Sequence, residues 1–261
     1  MCIRDRVGNK PWENPHNERT DNSAYMFYLN YGVSNNFSLE ALIPWQTVTN
    51  EKILFTGQSS HQPEGGKYVR HSQGFGDALV MGRYQLNHKK VHMALAAGIK
   101  LASGNANATD LYGTRIPDNL QIGSGTVDPV FALFGAYTGM NWIVHGNIFS
   151  RIPLRENIYG YKYGLETHAN MGVNYDLSDL IFLRSHVNVI NTSRDRYQYG
   201  ELDFSRGGLW VYFVPGLGIR VSETITIDLQ YPLPIYQFVN ESQLVPSDLL
   251  TMNFSYTLSK E

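Results

Sequence analysis

Residues 75–101, FGDALVMGRYQLNHKKVHMALAAGIKL, alternate with a period of two on both sides of one polar turn. In the first arm Asp77, Leu79, Met81, Arg83 and Gln85 share a face, and Gly76, Ala78, Val80, Gly82, Tyr84 and Leu86 share the other. Beyond Asn87-His88-Lys89-Lys90, the second arm gathers Met93, Leu95, Ala97, Ile99 and Leu101 opposite His92, Ala94, Ala96, Gly98 and Lys100. Successive side chains of a strand point to opposite sides, so one clean apolar face at this period means a strand between two unlike media. Each arm runs about 9–12 residues, long for a soluble strand and enough to cross a bilayer obliquely.

The same unit recurs. Residues 25–33 and 37–46 form one such pair, 127–137 and 142–152 another, then 163–175 with 181–189, and 209–221 with 224–236; a last strand spans 249–258. Short turns alternate with long polar loops at about 48–73, 103–125, 153–161 and 191–207. This describes an all-β, up-and-down antiparallel transmembrane β-barrel. About eleven strands are visible, the first running from the long-loop side. Bacterial barrels have even strand numbers, so the expectation is about twelve strands with one lost upstream. Residues 1–6, MCIRDR, resemble translated sequencing adapter, 7–22 read as the remnant of an outer loop, and 23–261 as one barrel domain.

Composition fits and excludes. The chain has 17 Tyr, 24 Gly and 17% charged residues, a mix suited to sheet. Apolar runs such as Met93–Ile99 are far too short for a membrane-spanning helix. Net charge is −2 with no basic stripe, which argues against a nucleic-acid partner. A single cysteine rules out an internal disulfide framework.

Alternation alone does not say which face is inside, because a soluble sandwich shows the same pattern turned about. Two features favour an apolar outside. Tyr31, Phe37, Tyr84, Tyr137, Trp142 and Tyr175 cluster beside the short turns on the apolar faces, as an interfacial girdle would. The polar faces carry Glu40, Asp77, Arg83, Lys100, Asp128, His145, Arg151, Glu166, His168, Arg184, His186 and Asp228, charges of both signs that suit a wet lumen. These twelve are the expected lumen-lining, permeation residues. Pro44, Pro129 and Pro215 stand against the pattern, since each deletes a ladder hydrogen bond; they mark bulges or the upper rim.

Gly74-Phe75-Gly76-Asp77-Ala78-Leu79-Val80-Met81-Gly82-Arg83-Tyr84 resembles the GxGD…GxKY signature of the outer-membrane transporter-like family labelled for the MetA pathway of phenol degradation. So do residues 98–104, residues 123–129, and the tail at 215–219 and 230–237. The resemblance runs from about Tyr25 onward and rests on structural rather than catalytic motifs. The chain departs from it by continuing past Tyr256 to Ser259-Lys260-Glu261 instead of ending on an aromatic. It implies a channel in the outer membrane of a Gram-negative bacterium, passing small hydrophobic or aromatic compounds. Its partners would be outer-membrane lipid, those solutes and, during biogenesis, the barrel-assembly machinery.

Other chemistry is weakly signalled. His92, His145, His168 and His186 with nearby acids could hold zinc, but no HxH or HxxxH spacing is present, and no metal or cofactor is expected. A barrel hydrolase needs a nucleophile within reach of a base, yet Ser185 and His168 fall on opposite faces, so no enzyme activity is expected. Asp77 and Asp128, facing inward with Lys100 and Arg83, read either as a gate charge or as a salt-bridged brace of the wall. The alternative to transport is a structural or adhesive barrel acting through its long loops.

Overall fold

The structure is a computed structural model that describes residues 3–11, 18–53, 66–88, 90–197, 200–203, 206–246 and 249–258. Among these, one antiparallel sheet contains every strand: β1 (Ile3–Gly8), β2 (Lys10–Pro11), β3 (Arg19–Gly32), β4 (Phe37–Ile53), β5 (Lys67–Phe75), β6 (Leu79–His88), β7 (Val91–Lys100), β8 (Asp128–Thr138), β9 (Trp142–Arg151), β10 (Glu166–Asp176), β11 (Ile181–Thr192), β12 (Gly208–Arg220), β13 (Ile225–Gln230), β14 (Leu233–Pro246) and β15 (Thr251–Tyr256). From β3 onward, neighbours in the sheet follow chain order, while β1 pairs with β14. β5 and β6 pair with the upper and lower halves of β4, and β14 and β13 with the upper and lower halves of β12. Counting each of those pairs once, β3 to β15 make eleven staves.

The apolar face is outside. Leu95 is 55% exposed and Phe254 67%, whereas Lys100 is 7% and Asp228 6% exposed. Tyr31, Phe37, Tyr84, Tyr137, Trp142 and Tyr175 are all exposed on the outer surface toward the short turns, where Tyr137 and Trp142 stack at 5.5 Å. Membrane barrels show this inversion of the soluble rule, an apolar band facing out and a polar interior.

Each of the three prolines meets a gap in the ladder. Pro44 accepts from Gly76 N (2.9 Å) where β5 gives way to β6, and Pro215 accepts from Tyr231 N (3.1 Å) where β13 gives way to β14. Pro129 accepts from Ile152 N (3.0 Å), just beyond the end of β9. In an antiparallel pair a residue's N–H and C=O point to the same neighbour, so each proline withholds a donor from a position where the partner strand has broken off.

Two boundaries differ from the sequence reading. Within the loop expected at 48–73, residues 48–53 and 67–73 are strand, because β4 continues to Ile53 and β5 begins at Lys67. The first stave begins at Arg19 and not near Tyr25, and residues 3–8 and 10–11, within the segment expected to be artefact and loop, form strands. Both extensions carry polar residues on both faces. A strand standing above the bilayer has water on both sides, so the two-medium alternation disappears there.

At the top, β14 turns sharply at Glu241 (φ 51°), and Gln237 Nε2 donates to Pro246 O at 2.9 Å. β1 pairs with this returning segment, Ile3 opposite Pro246 and Val7 opposite Ser242. Among the described residues, β3 has a hydrogen-bonded strand on its β4 side alone, and β15 on its β13 side alone.

Candidate functional site: a capped lumen with an apolar strip

The inward positions of β6 to β10 are arranged in tiers. Register pairs Leu79 and Asp128 with Lys100, Val130 and Met81 with Gly98, Arg83 and Ala132 with Ala96, and Gln85 and Phe134 with Ala94. The upper tier is charged. Lys100 Nζ lies 2.7 Å from Asp77 Oδ2 and 3.1 Å from Asp128 Oδ2, and donates to Thr126 O at 2.8 Å. Asp128 is fully buried, with Arg151 at 3.9 Å, and Arg151 in turn pairs with Glu166 at 2.7 Å. His168 Nε2 completes the chain at 2.5 Å from Glu166 Oε1. Buried charges persist when paired in this way, and the pairing braces the wall.

Asp77 occupies the break between β5 and β6 and gathers the loop at 101–127. Its carboxylate accepts from Gly104 N (2.9 Å), Ser124 N (2.9 Å) and Ser124 Oγ (2.5 Å) as well as from Lys100. Lys100 also touches Ser124 Oγ, but its remaining donors are committed to carboxylates and a carbonyl, so the pair is a structural tie and not a nucleophile with its base. Ser103 inserts its hydroxyl into the same break, accepting from Ala78 N (2.8 Å) and donating to Gly76 O (3.0 Å), the carbonyl that Pro44 leaves without a partner.

The loop turns inward and builds a small core over the bore. Ile116, Leu120 and Ile122 are buried against Val48, a lumen-side residue of β4. Each such side chain contributes about 1.5–3 kcal/mol relative to exposure. Gly104 and Gly123 cross so closely that a Cβ on Gly123 would lie 2.2 Å from Gly104 C, leaving room for no side chain. The loop at 152–165 locks onto this cap, and Asp195 in turn ties to that loop. Asn157 Nδ2 donates to Asp118 Oδ1 (3.1 Å) and Ser124 O (3.2 Å), and Tyr163 Oη to Asp118 O (3.0 Å). Tyr161 Oη donates to Asp195, which also accepts from Gly164 N at 2.6 Å. Burial lifts the Asp195 carboxyl above its ordinary value despite these donors, and burial with the nearby Asp195 carboxylate pushes the Tyr161 hydroxyl up.

Below the charged tier lies an apolar strip on the lumen side. Met81, Ala96, Val130 and Ala132 are buried beneath Leu79, Phe134 and Phe149. Arg83 stacks over Phe134, its Cζ 4.3 Å from the ring centre, and pairs with Glu40 at 3.1 Å. Farther round, Arg184 joins Asp228 at 3.3 Å and Asn174 at 3.2 Å, and the rings of His145 and His186 stand 6.4 Å apart. A hollow of about 780 Å³ runs over Gly135 and Gly146 and is walled by Met93, Leu133, Ile148 and Met171, which are outward-facing residues, so it opens on the lipid side.

The twelve residues expected in the lumen lie opposite the exposed apolar face, buried or half-buried, in three groups. Asp77, Lys100, Asp128, Arg151, Glu166 and His168 form one network; Glu40 and Arg83 a second; Arg184 and Asp228 a third, near His145 and His186. Arg83 does not join Asp77, as the sequence reading had grouped it. Ser103, Ser124, Tyr161 and Asp195 escaped that reading, although the Gly-Ser-Gly at 123–125 was a signal of close backbone approach. Among the described residues no three of His, Cys, Asp or Glu converge as metal ligands.

An up-and-down barrel with an apolar exterior, an aromatic girdle and a charged, capped interior is a transmembrane barrel of the outer-membrane kind. Among solved structures the chain is similar to the COG4313 outer membrane channel from Pseudomonas putida F1, at 12% identity and a TM-score of 0.65, over 98% of this chain and 90% of that one. At such identity the likeness concerns the fold. A Pseudomonas aeruginosa FadL homologue matches more loosely, at 12% identity and a TM-score of 0.44 over 91% of this chain and 66% of the other, and adds no weight. No protein-family profile matches the sequence, and no curated protein does.

Proposed function

We propose that the protein is an outer-membrane channel that admits small hydrophobic or aromatic compounds, phenolic ones among them. The observation that carries this is the apolar strip of the lumen wall, where half-buried Leu79, Phe134 and Phe149 lie over the buried Met81, Ala96, Val130 and Ala132. A bore for sugars or ions has no use for an apolar strip between tiers of charge, whereas an apolar solute gains by leaving water for such a surface. The inward-folded cap supports the same reading, since it fills part of the bore with Ile116, Leu120 and Ile122 packed on Val48. Outer-membrane lipid would surround the barrel, and the barrel-assembly machinery would insert it.

The test is flux into proteoliposomes. Phenol and toluene should equilibrate faster through protein-containing vesicles than through protein-free ones, after subtraction of their passive leak, while glucose should not. Equal rates with and without protein for every solute would leave a structural or adhesive barrel, working through its outer loops, as the better account.

A further inference from the structure

The hollow of about 780 Å³ on the outer wall lies within the apolar band. Register sets its floor in one tier of the sheet: Met93 opposite Gly135, Gly135 opposite Gly146, Gly146 opposite Met171, and Met171 opposite Val187. Of these five positions, the two glycines alone carry no side chain. The tier above is filled by Leu133 and Ile148, and the tier toward the short turns by Tyr137 and Val144. A Cβ added to Gly135 meets nothing within 4 Å, so no neighbour leans in to fill the space. Met93 and Met171, 47% and 69% exposed, stand at its two ends. Just below, the stacked rings of Tyr137 and Trp142 mark the membrane surface on the short-turn side.

We infer that this hollow seats one acyl chain of a phospholipid from the leaflet on the short-turn side, as a site distinct from the general lipid coat. The inference concerns the outer wall and stands whatever the bore carries. The occupant follows from the surroundings. The apolar band faces hydrocarbon, and an empty hollow would leave the atoms that line it without contacts on one side. Within a bilayer no hydrophobic force draws a chain to the wall, so contact holds it, and small residues give the closest approach to the backbone. Methionine is unbranched and polarizable, and it adapts to a chain of changing shape. A second copy of the protein would need a rigid ridge of matching form, which flexible Met walls do not specify. Between the Leu133–Ile148 and Tyr137–Val144 walls the hollow takes an unbranched methylene chain more closely than a methyl-branched one.

Native mass spectrometry of the barrel released from detergent micelles tests this. The probes are 1-palmitoyl-2-oleoyl phosphatidylcholine and diphytanoyl phosphatidylcholine, which share a headgroup and differ in the methyl branches of the second. One straight-chain lipid should stay bound after the rest are stripped, at least about tenfold more tightly than the branched lipid. Gly135→Leu, which fills the hollow from its floor, should remove that preference, and Gly135→Ala should weaken it less. Val80→Leu, on the same outer wall away from the hollow, should leave it intact. The comparison of the two lipids on the unaltered protein needs no variant, so it decides even where Gly135→Leu folds poorly. No retained lipid, equal retention of the two lipids, or a preference that survives Gly135→Leu would overturn the site. A protein dimer in place of the lipid adduct would assign the hollow to a second copy and overturn it as well.

Discussion

A hydroxyl and a carboxylate close the break in the third stave, and each makes a prediction. Ser103 supplies what a neighbouring strand would have supplied: an acceptor for Ala78 N at 2.8 Å and a donor to Gly76 O at 3.0 Å. Ser103→Ala leaves both main-chain groups without that partner, and because the site is open to water the expected loss is about 0.5–1.5 kcal/mol of folding stability. Urea unfolding in phospholipid vesicles measures it, and Ser103→Thr should recover most of the loss because its hydroxyl can take the same place. Asp77 ties four donors from three segments, so Asp77→Asn should do more than weaken one contact. Lys100 keeps Asp128, but the neutral side chain no longer balances the ammonium, and breaking a buried pair is worth on the order of 3 kcal/mol. The expected phenotype is a loop at 101–127 that proteases cut while the strands stay intact, and unaltered protection of that loop would refute the tie.

The elements divide into those that the residue pattern discloses and those that it hides, and the solvent on each side is the reason. Between the short turns and the Lys100 tier, one face meets lipid and the other the bore, and alternation identifies every stave. Above that level β4 and β5 run in water, and residues such as Thr47, Thr49 and Glu51 give no period to read. The breaks at 76–78 and 231–232 were announced by Pro44 and Pro215, but only register shows that each proline faces its break. The cap was the least legible part. Ile116, Leu120 and Ile122 stand apart in a polar loop, and isolated apolar residues form no period. This cap carries a pH prediction of its own. Burial raises the Asp195 carboxyl in the folded protein above its unfolded value, so the folded cap holds that proton more tightly than the open loop does. The stabilisation from this group is therefore complete below the ordinary carboxylate range, and is lost as pH rises through the raised value. Protease protection of the loop at 193–207 should be greater in mildly acid than in neutral buffer. Asp195→Asn should flatten that dependence, at a lower overall level because one oxygen then serves both Tyr161 and Gly164 N.

For the molecule as a whole, the decisive claim is that its outside is greasy and its inside wet. Leu95→Lys puts a charge on the outer wall amid the apolar band and should cost about 2–4 kcal/mol of folding free energy in vesicles. Asn147→Lys, on the neighbouring inward face, should cost less than about 1 kcal/mol. Similar costs for the two would mean that the faces had been assigned the wrong way round. The sheet's two free edges set the last test. β3 is paired with β4 and β15 with β13, and each offers its other edge, with residues of both strands exposed on both faces. Within hydrocarbon an unpaired row of N–H and C=O groups costs several kcal/mol per group, so a form stable in the bilayer must pair both edges. The even strand count of bacterial barrels leads us to propose one further amphipathic strand of about 10 residues between them, making twelve. The 261-residue chain should then migrate identically in detergent gels with and without boiling, while a version carrying such a strand ahead of β3 should run as a compact, heat-modifiable band. A compact band from the 261-residue chain itself would mean that β3 and β15 pair directly with each other in the membrane.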